Sequence, residues 1–310
     1  MNSIQGANAT YRITKDQPHK KGKFGGITIY QSIEDNSLVS VKKISKSDFL
    51  DRIDLKDIIH PNLSETIEYV ENNEGLFLIR RYYHGTDLKT IIKKRIKYNK
   101  LDSSFFIKAF AHILNGLSIL HQHHIIHRDI KPSNIIFKHA PNASVKIWRP
   151  EDVILTDFEQ AAIYPIKNRI RIPFALIYSP PEQLLNHNKL VSPASDLFAL
   201  AISLYEAVAK KPPYEDCNAE ILLNLQLTYP LKKPTKMDES LFEILKKAAY
   251  KEPFPLPPKR LAPNVITEIL ERGISKRYKK SEEFRTALNE YLKKLPLETT
   301  KKSFYTKFFK

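Results

Sequence analysis

Apolar residues follow two regimes along this chain. Up to about residue 90 they come in short runs broken by turn-forming residues, at 26–30, 38–44 and 75–83, with the lengths and alternation of half-buried β-strands. One stretch of that half, 47–59, reads as a short helix. From about residue 100 the period changes. Ile107, Phe110, Leu114 and Leu117 recur at three- and four-residue intervals behind a capping Asp102 or Ser103, which predicts an amphipathic helix. Residues 197–209, LFALAISLYEAVA, are apolar on nearly every side and predict a helix buried at the centre of the second half. Proline-rich stretches at 211–214 and 252–259 mark loops, and no internal repeat is present. The pattern is α+β, a small strand-rich half followed by a larger helical one.

Composition narrows the class. With 310 residues and 42% hydrophobic content, the chain can bury the core of one two-lobed domain or of two small ones. The single cysteine, Cys217, excludes a disulfide framework and a multi-cysteine zinc site. The N-terminus lacks the apolar core of a secretory signal, and no run reaches the roughly 20 apolar residues of a membrane span, so a cytoplasmic protein without a span is expected. The net charge of +16 is concentrated at 89–100 and in the tail 293–310, where lysines alternate with aromatics. An acidic partner for that tail is the expectation; nucleic acid is not.

The chemistry is concentrated in His127-Arg128-Asp129-Ile130-Lys131-Pro132-Ser133-Asn134. Phosphoryl transfer asks a protein mainly for positioning and charge neutralisation. This octapeptide puts a carboxylate, a cation and an amide on one loop. Asp129 can accept the proton of a substrate hydroxyl, Lys131 can neutralise charge on the travelling phosphoryl group, and Asn134 offers a hard oxygen to Mg²⁺. The sequence resembles the H-R-D-L-x-x-x-N catalytic loop of protein kinases, in the serine/threonine form because Lys131 stands two residues after Asp129.

Other landmarks of the eukaryotic-like protein kinases follow in order. The resemblance covers residues 11–293, implying an N-lobe at 11–81 with one main helix and a helical C-lobe at 82–293, and leaves 294–310 as the tail. Gly22 to Ile27 resembles the end of a glycine-rich loop, implying that Gly22 and Gly25 let backbone N–H groups approach phosphates. Val39-Ser40-Val41-Lys42 resembles V-A-I-K; strand alternation puts Ser40 and Lys42 on one face, with Lys43 as the register alternative to Lys42. Counting back from His60-Pro61-Asn62 places Asp51 where the family carries that lysine's carboxylate partner, with Asp54 and Asp57 nearby. Leu76 to Tyr82 resembles the strand entering the hinge, implying adenine contacts from the backbone of Arg81 and Tyr83 and from Ile27, Ser40 and Ile136. Thr156-Asp157-Phe158-Glu159 stands at the D-F-G position, making Asp157 the implied metal carboxylate beside Asn134. Ser179-Pro180-Pro181-Glu182 resembles A-P-E, with Arg277 as the implied partner of Glu182, and Asp196 matches the aspartate that braces the catalytic loop. Residues 261–292 resemble bacterial members of the group. The resemblance implies an ATP- and Mg²⁺- or Mn²⁺-dependent kinase acting on serine or threonine of a protein substrate. His121, His123, His124 and His127 lie close enough in sequence for a zinc site, but the LH…HRD pattern accounts for two of them.

Three residues depart from the family pattern inside the nucleotide site. Lys20 replaces the first loop glycine, Arg80 stands behind the adenine, and Glu159 replaces the D-F-G glycine. Arg80 is expected to compete with Lys42 for Asp51 or to reach a phosphate or carboxylate of its own. Residues 158–177 contain no serine or threonine, so loop phosphorylation there is not expected, and Arg128 is expected to pair with Glu159 or another acidic group. Ala175 stands where a threonine usually contacts the catalytic aspartate and lysine. These departures define the alternative reading, a pseudokinase. Residues 138–150 form an insertion expected to be a surface hairpin or loop.

Overall fold

The structure is a computed structural model that describes residues 3–14, 20–22, 25–44, 55–94, 96–166, 174–255 and 257–296. The strand-rich half is an antiparallel sheet of β1 (Ser3–Gln5), β2 (Thr10–Ile13), β3 (Lys20–Gly22), β4 (Gly25–Ser32), β5 (Leu38–Ile44), β6 (Thr66–Asn72) and β7 (Gly75–Arg81). Its order is β1-β2-β4-β5-β7-β6, with β3 paired to β4. Alternation decides which side chains are buried. Val39 and Val41 of β5 join Ile4, Tyr11 and Ile79 in the lobe's core, while Ser40 and Lys42 take the opposite face. The β4–β5 turn is made by Asn36, at φ 58°, beside Asp35, whose carboxylate accepts from the N–H of Ser37 at 3.0 Å. The sheet starts at Ser3, ahead of the expected boundary at residue 11. Of the helix expected at 47–59, residues 47–54 lie outside the described residues and 55–59 form a turn and loop.

The second half is helical. After β8 (Gly85–Asp87) come α1 (Leu88–Lys93) and α2 (Ser103–Gln122), each opened by an aspartate, Asp87 and Asp102, that accepts from a first-turn N–H. Ile107, Phe110, Leu114 and Leu117 are all fully buried, as their spacing predicted. By length and composition alone α2 is apolar enough to cross a membrane, but it packs against α4 (Pro193–Ala209) and α8 (Ser281–Lys294) as a core helix. Gly116 on α2 permits close packing: a Cβ there would lie 2.8 Å from Leu63. The predicted central helix is α4, buried continuously from Ala194 to Ala207 and started by a Ser192/Ser195 capping box. The remaining α-helices among the described residues are α3 (Pro181–Leu184), α5 (Ala219–Thr228), α6 (Glu239–Ala248) and α7 (Pro263–Ser275).

Short strands join the halves where the cleft lies. β9 (Ile125–Ile126) pairs with β12 (Ala162–Ile163), and β10 (Ile135–Lys138) lies between β8 and β11 (Val153–Leu155). Asn62 fastens the strand side to this platform, its amide donating to the Val153 and Glu151 carbonyls at 2.8 and 3.0 Å. The insertion at 138–150 is not a hairpin. It holds a 3₁₀ turn, Val145–Ile147, and Trp148 stacks on His139 with ring centroids 4.4 Å apart.

Candidate functional site

One cleft between the two halves collects most of the residues singled out by sequence. β5 contributes Ser40 and Lys42; β7 and the segment after it contribute Leu78, Arg80, Arg81 and Tyr83. From below come Asn134, Ile136, Asp157 and Glu159. Lys43 is excluded as the cleft lysine, because the pleat turns it to the other face, where its side chain lies against Gly75. Gly22 and Gly25 sit opposite each other in the β3–β4 pair, and Ile27 of β4 is paired with Lys20. Asp51 lies outside the described residues. Ile29 and Leu78 also line the cleft; the alternation through Ile27 and Arg80 was the signal that could have found them.

The loop between β9 and β10 holds the groups that the sequence singled out for chemistry. Asp129, largely buried, accepts from Lys131 Nζ at 2.6 Å and from Asn134 Nδ2 at 3.1 Å. A second bond, from Asn134 Nδ2 to the Asp129 carbonyl at 2.8 Å, makes the amide a staple across the loop. With its nitrogen so committed, Asn134 has its hard oxygen Oδ1 for a metal. The carbonyl of Asn134 accepts from the N–H of Thr156 at 2.9 Å, which fixes the start of the Asp157 segment against the loop.

The loop is braced from α4. Asp196, almost fully buried, accepts from the N–H groups of His127 and Arg128 at 2.8 and 2.9 Å and from His121 Nε2 at 2.9 Å. Burial works against its charge, yet the hydrogen bond and charge of His121 outweigh it and hold the carboxyl below its usual range. These bonds keep Arg128 at φ 63°, a left-handed conformation that costs about 1–3 kcal/mol in a non-glycine residue. His127 is fully buried, bonded to the Thr156 carbonyl at 3.0 Å and packed at a tilt against the Phe158 ring, and burial pushes its imidazole down toward the neutral form. The four histidines therefore diverge: His121 goes to Asp196, His127 to Thr156, His123 to the Ile119 carbonyl, and His124 packs on Tyr164.

One expectation about charge requires correction. Glu159 does not pair with Arg128. It forms an ion pair and hydrogen bond with Lys42, while Arg128 Nε donates to the carbonyl of Gln160. Arg80 places its guanidinium over the Phe158 ring, 6.0 Å from the centroid. Burial also lowers the Arg128 guanidinium to about 10, against the pull of Asp196. Arg81 commits its guanidinium to Glu65 at 2.6 Å and its N–H to the Glu65 carbonyl, so any contact of Arg81 with a base falls to its carbonyl. Ala175 accepts backbone bonds from Tyr178 and Ser179. Farther down, Arg277 forks onto Glu182 at 2.6 and 3.0 Å, both side chains buried, with Ser195 adding a third bond to the carboxylate.

A strand lobe above a helical lobe, with lysine, aspartate and asparagine converging in the cleft between them, is the arrangement of a two-lobed protein kinase. The protein kinase domain family model matches residues 20–293, and the chain belongs to that family. It is similar to an Aurora kinase of Eremothecium gossypii, 26% identical over 225 residues, 68% of this chain and 57% of the relative. It is also similar to the human SNF-related serine/threonine-protein kinase, 25% identical over 248 residues, 77% of this chain and 31% of the relative. Aurora kinase A-A of Xenopus laevis is 27% identical over 210 residues, 64% of this chain and 48% of the relative. The chain thus spans between about a third and somewhat over half of the length of these relatives.

Proposed function

We propose that this protein is an ATP- and Mg²⁺- or Mn²⁺-dependent kinase that transfers the γ-phosphoryl group to a serine or threonine of a protein substrate, with its catalytic domain at 11–293. The observation that carries this reading is that Asn134, bonded to Asp129 in one set with Lys131, lines the same cleft as Lys42 and Asp157. Asn134 and Asp157 are hard oxygen donors on two segments tied together through Thr156, a fit for a hard divalent cation whose remaining ligands come from phosphate and water. Such a cation, when bound, supplies charge neutralisation on the phosphate oxygens.

The chain's own groups divide the rest of the work. Ser40, Ile136 and Ile27 take the faces of the adenine, and the backbone of Arg81 and Tyr83 takes its edge. Gly22 and Gly25 let the β3–β4 backbone approach the phosphates, and Lys42 neutralises them. Asp51 is the implied helical carboxylate of this lysine. Asp129 accepts the proton of the substrate hydroxyl as its oxygen bonds to the γ-phosphorus, and the bond from phosphorus to the departing ADP oxygen breaks. Lys131, already 2.6 Å from Asp129, lies where charge develops on the transferred group. Serine or threonine as acceptor is supported by Lys131 and by the name of the SNF-related serine/threonine-protein kinase among the relatives.

The test is label transfer from γ-labelled ATP to a generic basic protein with Mg²⁺ or Mn²⁺, beside Asp129→Asn and Lys42→Met. Transfer by the native protein and its loss in both variants is the expected result. Metal-dependent ATP binding without transfer would replace this reading with the pseudokinase.

A further inference from the structure

Glu159 stands outside the division of labour just described, although it lines the same cleft. Asp157 is left-handed at φ 68°, and the 3₁₀ turn Phe158–Gln160 that follows brings Glu159 up against Lys42 of β5. The turn is held on both sides. Phe158 is buried against His127, and the carbonyl of Gln160 accepts from Arg128 Nε. The Ala161 N–H closes it on the Phe158 carbonyl at 3.1 Å. Glu159 is thus a carboxylate on a clamped element, and both partners of the pair are mostly shielded, at 16% and 18% side-chain exposure. A lysine ammonium has three N–H donors, so a carboxylate that takes one leaves two for phosphate oxygens.

We propose that Glu159 is a positioning residue that anchors Lys42 for the nucleotide phosphates, so that one short segment sets both the cleft lysine, through Glu159, and the metal carboxylate Asp157. The inference rests on the reading of the cleft as a nucleotide site. Its consequence is that the placement of Lys42 follows the Asp157 segment, which is fixed to the catalytic loop through Asn134, Thr156 and Arg128.

The test is calorimetric binding of Mg²⁺ with a non-hydrolysable ATP analogue to the native protein, Glu159→Gln, Asp51→Asn, Lys42→Met and the Lys42→Met/Glu159→Gln double variant, with a thermal melt of each unliganded protein. Glu159→Gln is expected to weaken binding about tenfold, within the range for residues sharing a salt-bridge network. Because Glu159 acts through Lys42, the double variant is expected to bind no more weakly than Lys42→Met, with melting temperatures unchanged between those two. A purely structural role would lower the melting temperature in both backgrounds. Unchanged or tighter binding in Glu159→Gln would overturn the proposal, as would a loss that persists in the Lys42→Met background. Weakening by Asp51→Asn alone would overturn it by returning the anchor to Asp51. Absence of analogue binding by the native protein would overturn the nucleotide-site reading and this proposal with it.

Discussion

Asp196→Asn tests how the catalytic loop is held. Three donors converge on the two oxygens of this buried carboxylate. An amide has one acceptor oxygen, and the placement that loses fewest bonds keeps it where His127 and His121 donate and turns the NH₂ toward the N–H of Arg128. One charge-assisted bond is lost and two become neutral; at about 1.5–3 kcal/mol for a bond to a charged group and about 0.5–1.5 for a neutral one, the loss is about 3–5 kcal/mol. Removing a buried charge returns part of this, because burial of an ion costs several kcal/mol, and a net destabilisation of about 1–3 kcal/mol remains. At about 2–4 °C per kcal/mol for a domain of this size, the melting temperature falls by several degrees. The larger effect is local. Without its bond Arg128 is free to leave φ 63°, and Asp129 follows it; misplacement by about 1 Å costs about 10²-fold in rate. Kinetics should show kcat down by about that factor with KM for ATP little changed, since Lys42 and Asp157 are untouched. Amide hydrogen exchange at His127 and Arg128 should accelerate. A variant with native kcat, native melting temperature and unchanged exchange at these two amides would refute the reasoning.

Three further outcomes are expected. Arg277→Met leaves the Glu182 carboxylate buried without its cation and should destabilise the fold by about 3–5 kcal/mol, whereas Glu182→Leu/Arg277→Met should recover much of the loss; denaturant titration of the three proteins measures it. Burial, with Arg277 nearby, brings the Lys251 amine down to about 7 from 10.5, so between those values the unfolded chain holds a proton that the folded chain has released. Stability should therefore rise with pH across that window through this group, and Lys251→Met should flatten the rise in urea midpoints measured from pH 7 to 10. Tyr11 donates its hydroxyl proton to the buried Glu68, so Tyr11→Phe should cost about 1–3 kcal/mol in the same titration by leaving that carboxylate short of a donor.

Much of this protein is determined locally and can be read from the chain. Strand alternation separated Ser40 and Lys42 from the core residues Val39 and Val41, because the pleat sends successive side chains to opposite faces. Helical spacing marked the buried face of α2, and the apolar run of α4 marked its central position. The set Asp129, Lys131 and Asn134 was legible because its groups are neighbours in sequence and bond to one another. Other features were decided by the tertiary structure alone. Lys42 meets Glu159 across 117 residues, and the approach depends on a left-handed Asp157, a conformation a non-glycine residue holds only when its surroundings compel it. The partner of Arg128 is a backbone carbonyl, and every residue carries one of those, so no side-chain pattern could mark Gln160. Periodicity records which face of an element is buried. Which charges meet across the cleft depends on where separate elements end and in what direction the chain leaves them, and that is settled only when the two lobes pack.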